Sequence, residues 1–112
     1  MDLETLQRQI CKKYESKYIE FNPSDRVAIA LQSLGQQPIY AVRVALQKQD
    51  NVSWFIHCGE YSSADDFYQP LHASHLQQYL PEILPYLALE HGYHVIIDKD
   101  GYEDVWLNPT TD

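Results

Sequence analysis

The sequence predicts an α+β domain, and three observations carry that reading. Apolar residues recur at helical spacing near the N-terminus, two β-rich runs in the middle of the chain form a hairpin pattern, and a second hairpin is signalled by a late Asp-Gly pair. The fold expected is an N-terminal helix, an antiparallel sheet of four to five strands, and short helices inserted between the two hairpins. With 112 residues the chain can bury one compact core, since folding at this size removes very roughly two-thirds of the unfolded surface from water. No repeat, low-complexity tract or Gly/Ser linker marks a boundary, so residues 1–112 read as a single domain.

Leu3, Leu6, Ile10, Tyr14, Tyr18 and Phe21 fall at three- and four-residue steps with Arg8, Lys12, Lys13 and Lys17 between them, which predicts an amphipathic helix over residues 1–21 that stops at Asn22-Pro23. Val27 to Leu31 is a short apolar run, either strand or helical turn, and Gly35 to Pro38 marks a turn. From Ile39 to Gln47 the residues Tyr40, Val42, Val44 and Leu46 alternate with partners including Arg43 and Gln47, as in a half-buried strand. Asp50-Asn51 is the expected reversal into a second strand, Val52 to Cys58. Gly59 to Pro70 reads as an acidic and aromatic surface loop. Ser74 and Gln77 have capping-box spacing ahead of Leu76, Leu80, Ile83, Leu84 and Leu87. Pro81 splits that stretch into two short helices, with the proline in the first turn of the second. After Gly92, the runs Tyr93 to Ile97 and Tyr102 to Leu107 flank Asp98-Lys-Asp-Gly101, whose Asp-Gly is a hairpin signal.

Charge is unevenly distributed. The first 49 residues are slightly basic, whereas eleven acids face a single base, Lys99, from Asp50 onward, so the halves sit near +2 and −10 within the formal −8. Such a field favours a cationic partner and disfavours phosphate backbones, whose binding needs clustered basic residues. Nucleic acid is therefore not an expected ligand. No apolar run has the roughly 18 to 20 residues a membrane span requires, and no signal-peptide stretch opens the chain, so a cytoplasmic protein is expected. Cys11 and Cys58 lack paired spacing and read as buried free thiols.

Motifs for catalysis or cofactors are weak. Aligning Gly101 with the glycine of a calcium-binding helix-loop-helix puts Ile96 and Leu107 where carboxylates are needed, so the segment reads as a hairpin turn. His72-Ala-Ser-His75 has metal-compatible spacing, and a small metal-dependent enzyme using His72 and His75 is the alternative in another functional class. Against it, an N-cap at Ser74 would leave His72 ahead of the helix and directed elsewhere, and no third ligand has a fixed spacing. There is no nucleophile elbow, phosphate-binding loop or dinucleotide glycine pattern, and the adjacent His57 and Cys58 would point to opposite faces of a strand. No cofactor is expected.

Several stretches carry a resemblance to a known group. Val27-Ala-Ile-Ala-Leu-Gln-Ser-Leu-Gly35 with Pro38-Ile-Tyr-Ala-Val-Arg43, then Trp54-Phe-Ile-His-Cys-Gly-Glu60, Asp66-Phe-Tyr-Gln-Pro-Leu-His72, His75-Leu76 and Gly101-Tyr-Glu-Asp-Val-Trp106 resemble the immunity-protein-like domains of bacterial polymorphic toxin systems, in particular the family numbered thirty-three. The resemblance covers residues 27–107 and leaves the N-terminal helix unmatched. It implies a cytoplasmic antitoxin that binds and inactivates a cognate toxin and catalyses nothing itself. It supplies no functional residues position by position.

The residues themselves point to binding as well. Aromatic anchors beside acids suit a protein interface. The expected partner-binding residues are Glu60, Tyr61, Asp65, Asp66 and Tyr68 in the loop, and Asp98, Asp100, Tyr102, Glu103 and Asp104 at the final hairpin. The expected partner is a protein toxin with a basic surface. Trp106, between Val105 and Leu107, is expected in the core. A housekeeping homo-oligomer built through the N-terminal helix is a further alternative.

Overall fold

The computed structural model describes residues 2–21, 26–44 and 52–107. The expected helix stop at Asn22-Pro23, the residues Leu46 and Gln47, and the reversal at Asp50-Asn51 lie outside the described residues. Helix α1 spans Leu3–Lys13, and strands follow at β1 (Arg26–Ile29), β2 (Ile39–Arg43), β3 (Val52–Cys58), β4 (Gln69–His72), β5 (Tyr93–Ile97) and β6 (Glu103–Leu107). Between β4 and β5 come a tight turn at Ala73–His75, the one-turn helix α2 (Leu76–Tyr79) and a 3-10 segment at Pro81–Tyr86. The class is α+β, as the sequence indicates.

The sheet departs from expectation in number and direction. It has six strands in the order β4-β1-β3-β2-β5-β6, and β1 runs parallel to β3 while every other pair is antiparallel. Two short strands account for the difference. The Val27 run is a strand wedged between β3 and β4, and the loop expected from Gly59 to Pro70 ends in β4, which contains Pro70. An edge strand tolerates a proline because only one of its sides is paired.

α1 also ends sooner than the periodicity suggests. Asp2 caps it, its carboxylate accepting from the Thr5 amide at 2.8 Å. At the other end Glu15 takes a left-handed conformation (φ 58°), the Glu15 amide donates to the Lys12 carbonyl and the Ser16 amide to the Cys11 carbonyl at 2.8 Å. That pattern is a Schellman stop, which most often uses glycine and here is built on glutamate, so the sequence carried no signal for it. The chain beyond packs in extended form: the Ile19 amide donates to the Ala88 carbonyl and Tyr18 lies under the Arg8 guanidinium. Its apolar spacing reflects this packing and not further turns of helix.

One face of the sheet carries the core. Val27, Ile29, Ile39, Ala41, Trp54, Ile56, Cys58, Val95 and Ile97 meet Leu76, Leu80, Ile83, Leu87 and Leu89 of the helical layer, and α1 packs on Pro81–Tyr86. Both thiols, Cys11 and Cys58, are free and buried. The expected phase of β2 is reversed: Ile39, Ala41 and Arg43 face the core, while Tyr40 and Val42 face away. Alternation alone could not choose, because both faces of that strand are largely apolar. Arg43 is only 3% exposed, and its Nη1 donates to the carbonyls of Ile19, Leu87 and Leu89 at 2.9, 3.1 and 2.9 Å. It thereby fills the carbonyls left at the end of the helical layer and clamps the extended segment after α1.

Two smaller expectations are corrected. Ser74 does not cap α2, for no side chain hydrogen-bonds at the start of that helix or of the preceding turn, whose flanking residue is His72. Trp106 is not in the core. Val105 is the buried residue of β6, opposite Val95, and period-two alternation sends Trp106 to the other face, 37% exposed. The two-helix division at Pro81 is as expected.

Candidate functional site: the uncovered face of the sheet

Among the described residues, no helix packs on the second face of the sheet. Strand register aligns its side chains in rows. One row runs across all six strands as Pro70, Ala28, Phe55, Val42, His94 and Trp106, and the next contains His57, Tyr40, Ile96 and Asp104. The rings stand edge-up on neighbouring strands. Tyr40 stacks on His57 with centroids 4.9 Å apart, and His94 on Trp106 with centroids 5.0 Å apart. Exposed aromatic groups of this kind offer large, rigid contact area to a partner.

The loop after β3 folds back over the upper part of this face. Tyr61 and Phe67 meet the His57 ring at 5.9 and 5.8 Å, Phe67 meets Tyr68 at 4.9 Å, and Tyr68 stands edge-on to Phe55 at 5.3 Å. The Tyr68 hydroxyl lies 3.3 Å from His57 Nδ1. Burial among these rings lowers the pKa of His57 below the ordinary value of 6.5, so the imidazole is neutral at neutral pH. Burial likewise lowers that of His94.

Topology brings the acidic segments together. β1, β3 and β5 finish, and β2, β4 and β6 begin, at one end of the sheet, so the 59–68 loop, the turn before β2 and the 98–102 turn all lie there. β3 and β5 are two strand spacings apart, about 10 Å. A hydrogen bond from the Lys99 amide to Gln37 Oε1, 3.1 Å long, ties the last turn to the turn preceding β2.

Of the residues expected at a binding site, Glu60, Tyr61, Asp65 and Asp66 are exposed on the loop, with Tyr61 65% exposed, and Tyr68 is half-buried beside His57. Asp98 organises the turn, its Oδ1 accepting from the amides of Asp100 and Tyr102 at 2.8 and 3.0 Å. Asp100 and Tyr102 are exposed, and Asp104 lies on the uncovered face, accepting from the Tyr102 hydroxyl at 3.4 Å. The Asp104 charge is the main reason the Tyr102 pKa is raised. Glu103 differs. It lies on the helix side, where Lys13 donates to it at 2.7 Å and the hydroxyls of Tyr14 and Tyr86 also donate. Burial alone would raise its pKa, but these three donors overcome that and bring it below the ordinary 4.5. Nine of the ten residues thus gather at one end of the sheet or its uncovered face, and Glu103 holds α1 to β6.

The sequence reading did not find Tyr40, Phe55, His57, His94 and Trp106. The phase of β2, β3, β5 and β6 decides their side, and that phase becomes visible only once Arg43, Trp54, Val95 and Val105 are known to be buried. His72 and His75 do approach one another, contrary to expectation, with rings 5.9 Å apart and nearly perpendicular. Among the described residues no three His, Cys, Asp or Glu side chains converge as metal binding requires, and no helix is long and apolar enough to cross a membrane.

A six-stranded mixed sheet with helices on one face and an aromatic, acid-bordered second face defines a small α+β domain. Its sequence matches the Imm33-like domain family over residues 6–108, and the chain belongs to that family. The match begins inside α1, so most of the N-terminal helix is part of the family's domain and not an addition particular to this chain. No curated protein and no solved structure matches it.

Proposed function

We propose that this chain is an immunity protein that binds a cognate protein toxin and neutralises it by occlusion, without catalysing a reaction, in the cytoplasm. Membership of the Imm33-like family supports the class. The observation that carries the mode of action is the uncovered sheet face, where Tyr40 and Trp106 are 38% and 37% exposed beside an acidic loop and an acidic turn. Such a face suits a toxin with a basic surface, since the acids steer encounter and the rings supply contacts that persist after docking.

The test uses the product of the reading frame next to this one. Its expression alone should arrest growth, and co-expression of this chain should restore it. Purified, the two should associate at a rate that falls when Asp65 and Asp66 are both changed to Asn, with the deficit shrinking as salt rises because screening removes the steering. Growth arrest that this chain fails to relieve overturns the proposal. So does relief without any physical association.

A further inference from the structure

Where the loop after β3 meets the turn before β2, the uncovered face deepens into a groove of about 890 Å³ bordered by Gln36, Pro38, Tyr40, His57, Glu60 and Tyr61. Its shape is built in. Gly59 sits at φ +71°, and a Cβ there would come within 2.3 Å of the Gln36 Oε1, so Gln36 closes one side only because residue 59 has no side chain. The Gly59 amide donates to the Pro38 carbonyl at 2.8 Å, which fixes the loop against the turn.

The walls are tyrosine rings and the rim is acidic. Tyr61 is mostly exposed and meets His57 edge-on, while Tyr40 is held upright by stacking on the same imidazole. Ring faces attract cations, and Glu60 is the carboxylate residue that lines the groove. The neighbouring turn carries Asp98 and Asp100 with Lys99 as its one cation, and Asp104 follows on β6, so the local balance remains negative. His57 adds no positive charge at neutral pH, because burial keeps it deprotonated. An anionic ligand would be repelled here, and a purely apolar one would strand the tyrosine hydroxyls and Glu60.

We propose that this groove receives an arginine side chain from the protein partner, its guanidinium plane laid on the exposed ring of Tyr61 beside Tyr40 and its donors directed to Glu60. This rests on the reading that the chain binds a protein. Arginine fits better than lysine because its planar, weakly hydrated head stacks on aromatic faces and pairs with a carboxylate through two parallel donors, whereas an ammonium does neither.

The probe is N-acetyl-arginine N-methylamide, titrated into the full chain and followed by NMR on the aromatic rings, with the lysine and citrulline counterparts as comparisons. Saturable shifts at Tyr40, His57 and Tyr61, at least threefold weaker half-saturation for the lysine compound and no response to neutral citrulline are expected. Tyr61→Ala and Glu60→Gln should each weaken the arginine response at least threefold, and Glu82→Gln, a remote acid, should leave it unchanged. Absence of saturable shifts, equal response to arginine and lysine, or shifts spread over all aromatic rings alike overturns the proposal. If the rings ignore the arginine compound while the chain still rescues growth, the groove reading fails and toxin neutralisation stands. Saturable arginine binding without rescue separates the two the other way.

Discussion

Tyr40 and His57 stand side by side on adjacent antiparallel strands, their ring planes within 5° of parallel and their centroids 4.9 Å apart. That separation is the strand spacing itself, about 4.8 Å, so the sheet stacks the rings without bending the backbone. His94 and Trp106 repeat the arrangement at 5.0 Å on the next two strands. Two such pairs leave a stiff aromatic surface that loses little side-chain entropy when a partner covers it.

The two tryptophans should therefore behave oppositely. Trp54 is fully buried, with its indole N–H donating to the Leu87 carbonyl at 3.0 Å. Trp54→Ala should lose about 3–5 kcal/mol and fail to fold or aggregate. Trp106→Ala should remain folded and soluble while dissociating faster from the partner. Circular dichroism and thermal melts on both variants check this, and a Trp106→Ala protein as unstable as Trp54→Ala would return that ring to the core.

Arg43→Met keeps the length and apolar stem of the side chain but removes the donors from the carbonyls of Ile19, Leu87 and Leu89. The Leu87 carbonyl keeps the Trp54 indole N–H, but those of Leu89 and Ile19 lose the Arg43 donor, so a loss of about 1–3 kcal/mol is expected in urea denaturation. Hydrogen exchange should show the Ile19 amide, bonded to the Ala88 carbonyl, losing protection first.

Glu103→Ala strands the hydroxyls of Tyr14 and Tyr86 between α1, the Pro81–Tyr86 segment and β6. A loss of about 1–3 kcal/mol is expected. Lys13→Ala, which removes only the exposed arm of the same cluster, should leave the denaturation midpoint where it was. Equal losses from the two variants would shift the weight of the cluster from the tyrosines to the salt bridge.

Acid should weaken the fold in two stages. Burial holds His57, His91 and His94 below the ordinary imidazole value of 6.5. As pH falls, the unfolded chain takes up these protons first, so the stability that neutral imidazoles provide is intact above pH 6.5 and is lost as pH drops through their folded values. Glu103, also depressed, adds a second loss only below its ordinary value of 4.5. Melting temperature at constant ionic strength should decline between pH 7.5 and 5, and the His57→Gln, His94→Gln double variant should show a shallower decline. A curve equally steep in the double variant would mean that other groups set it.

Legibility in the sequence followed the range of the interactions. Both hairpins, the break at Pro81 and the buried thiols were readable because turn chemistry and apolar runs are local. The Schellman stop at Glu15 was not, since glutamate is an unusual residue for it. Nor was the burial of Arg43, which depends on carbonyls about 24 and 45 residues away in sequence. The acids that border the uncovered sheet face were visible as composition. The aromatic rows of that face were not, because which side of β2, β3, β5 and β6 faces the helices is set by partners distant in the chain.

The position of β1 has a consequence for the order in which the domain assembles. β2 with β3, and β5 with β6, pair between neighbours in the chain, whereas β1 is flanked by β3 and β4, and α1 packs on Pro81–Tyr86. During synthesis α1 and β1 therefore leave the ribosome before β3, β4 or the Pro81–Tyr86 segment exists. The hairpins close early because the stretch of chain they must order is short. α1 and β1 wait with their apolar sides bare, and α1 docks only after Tyr86 has emerged.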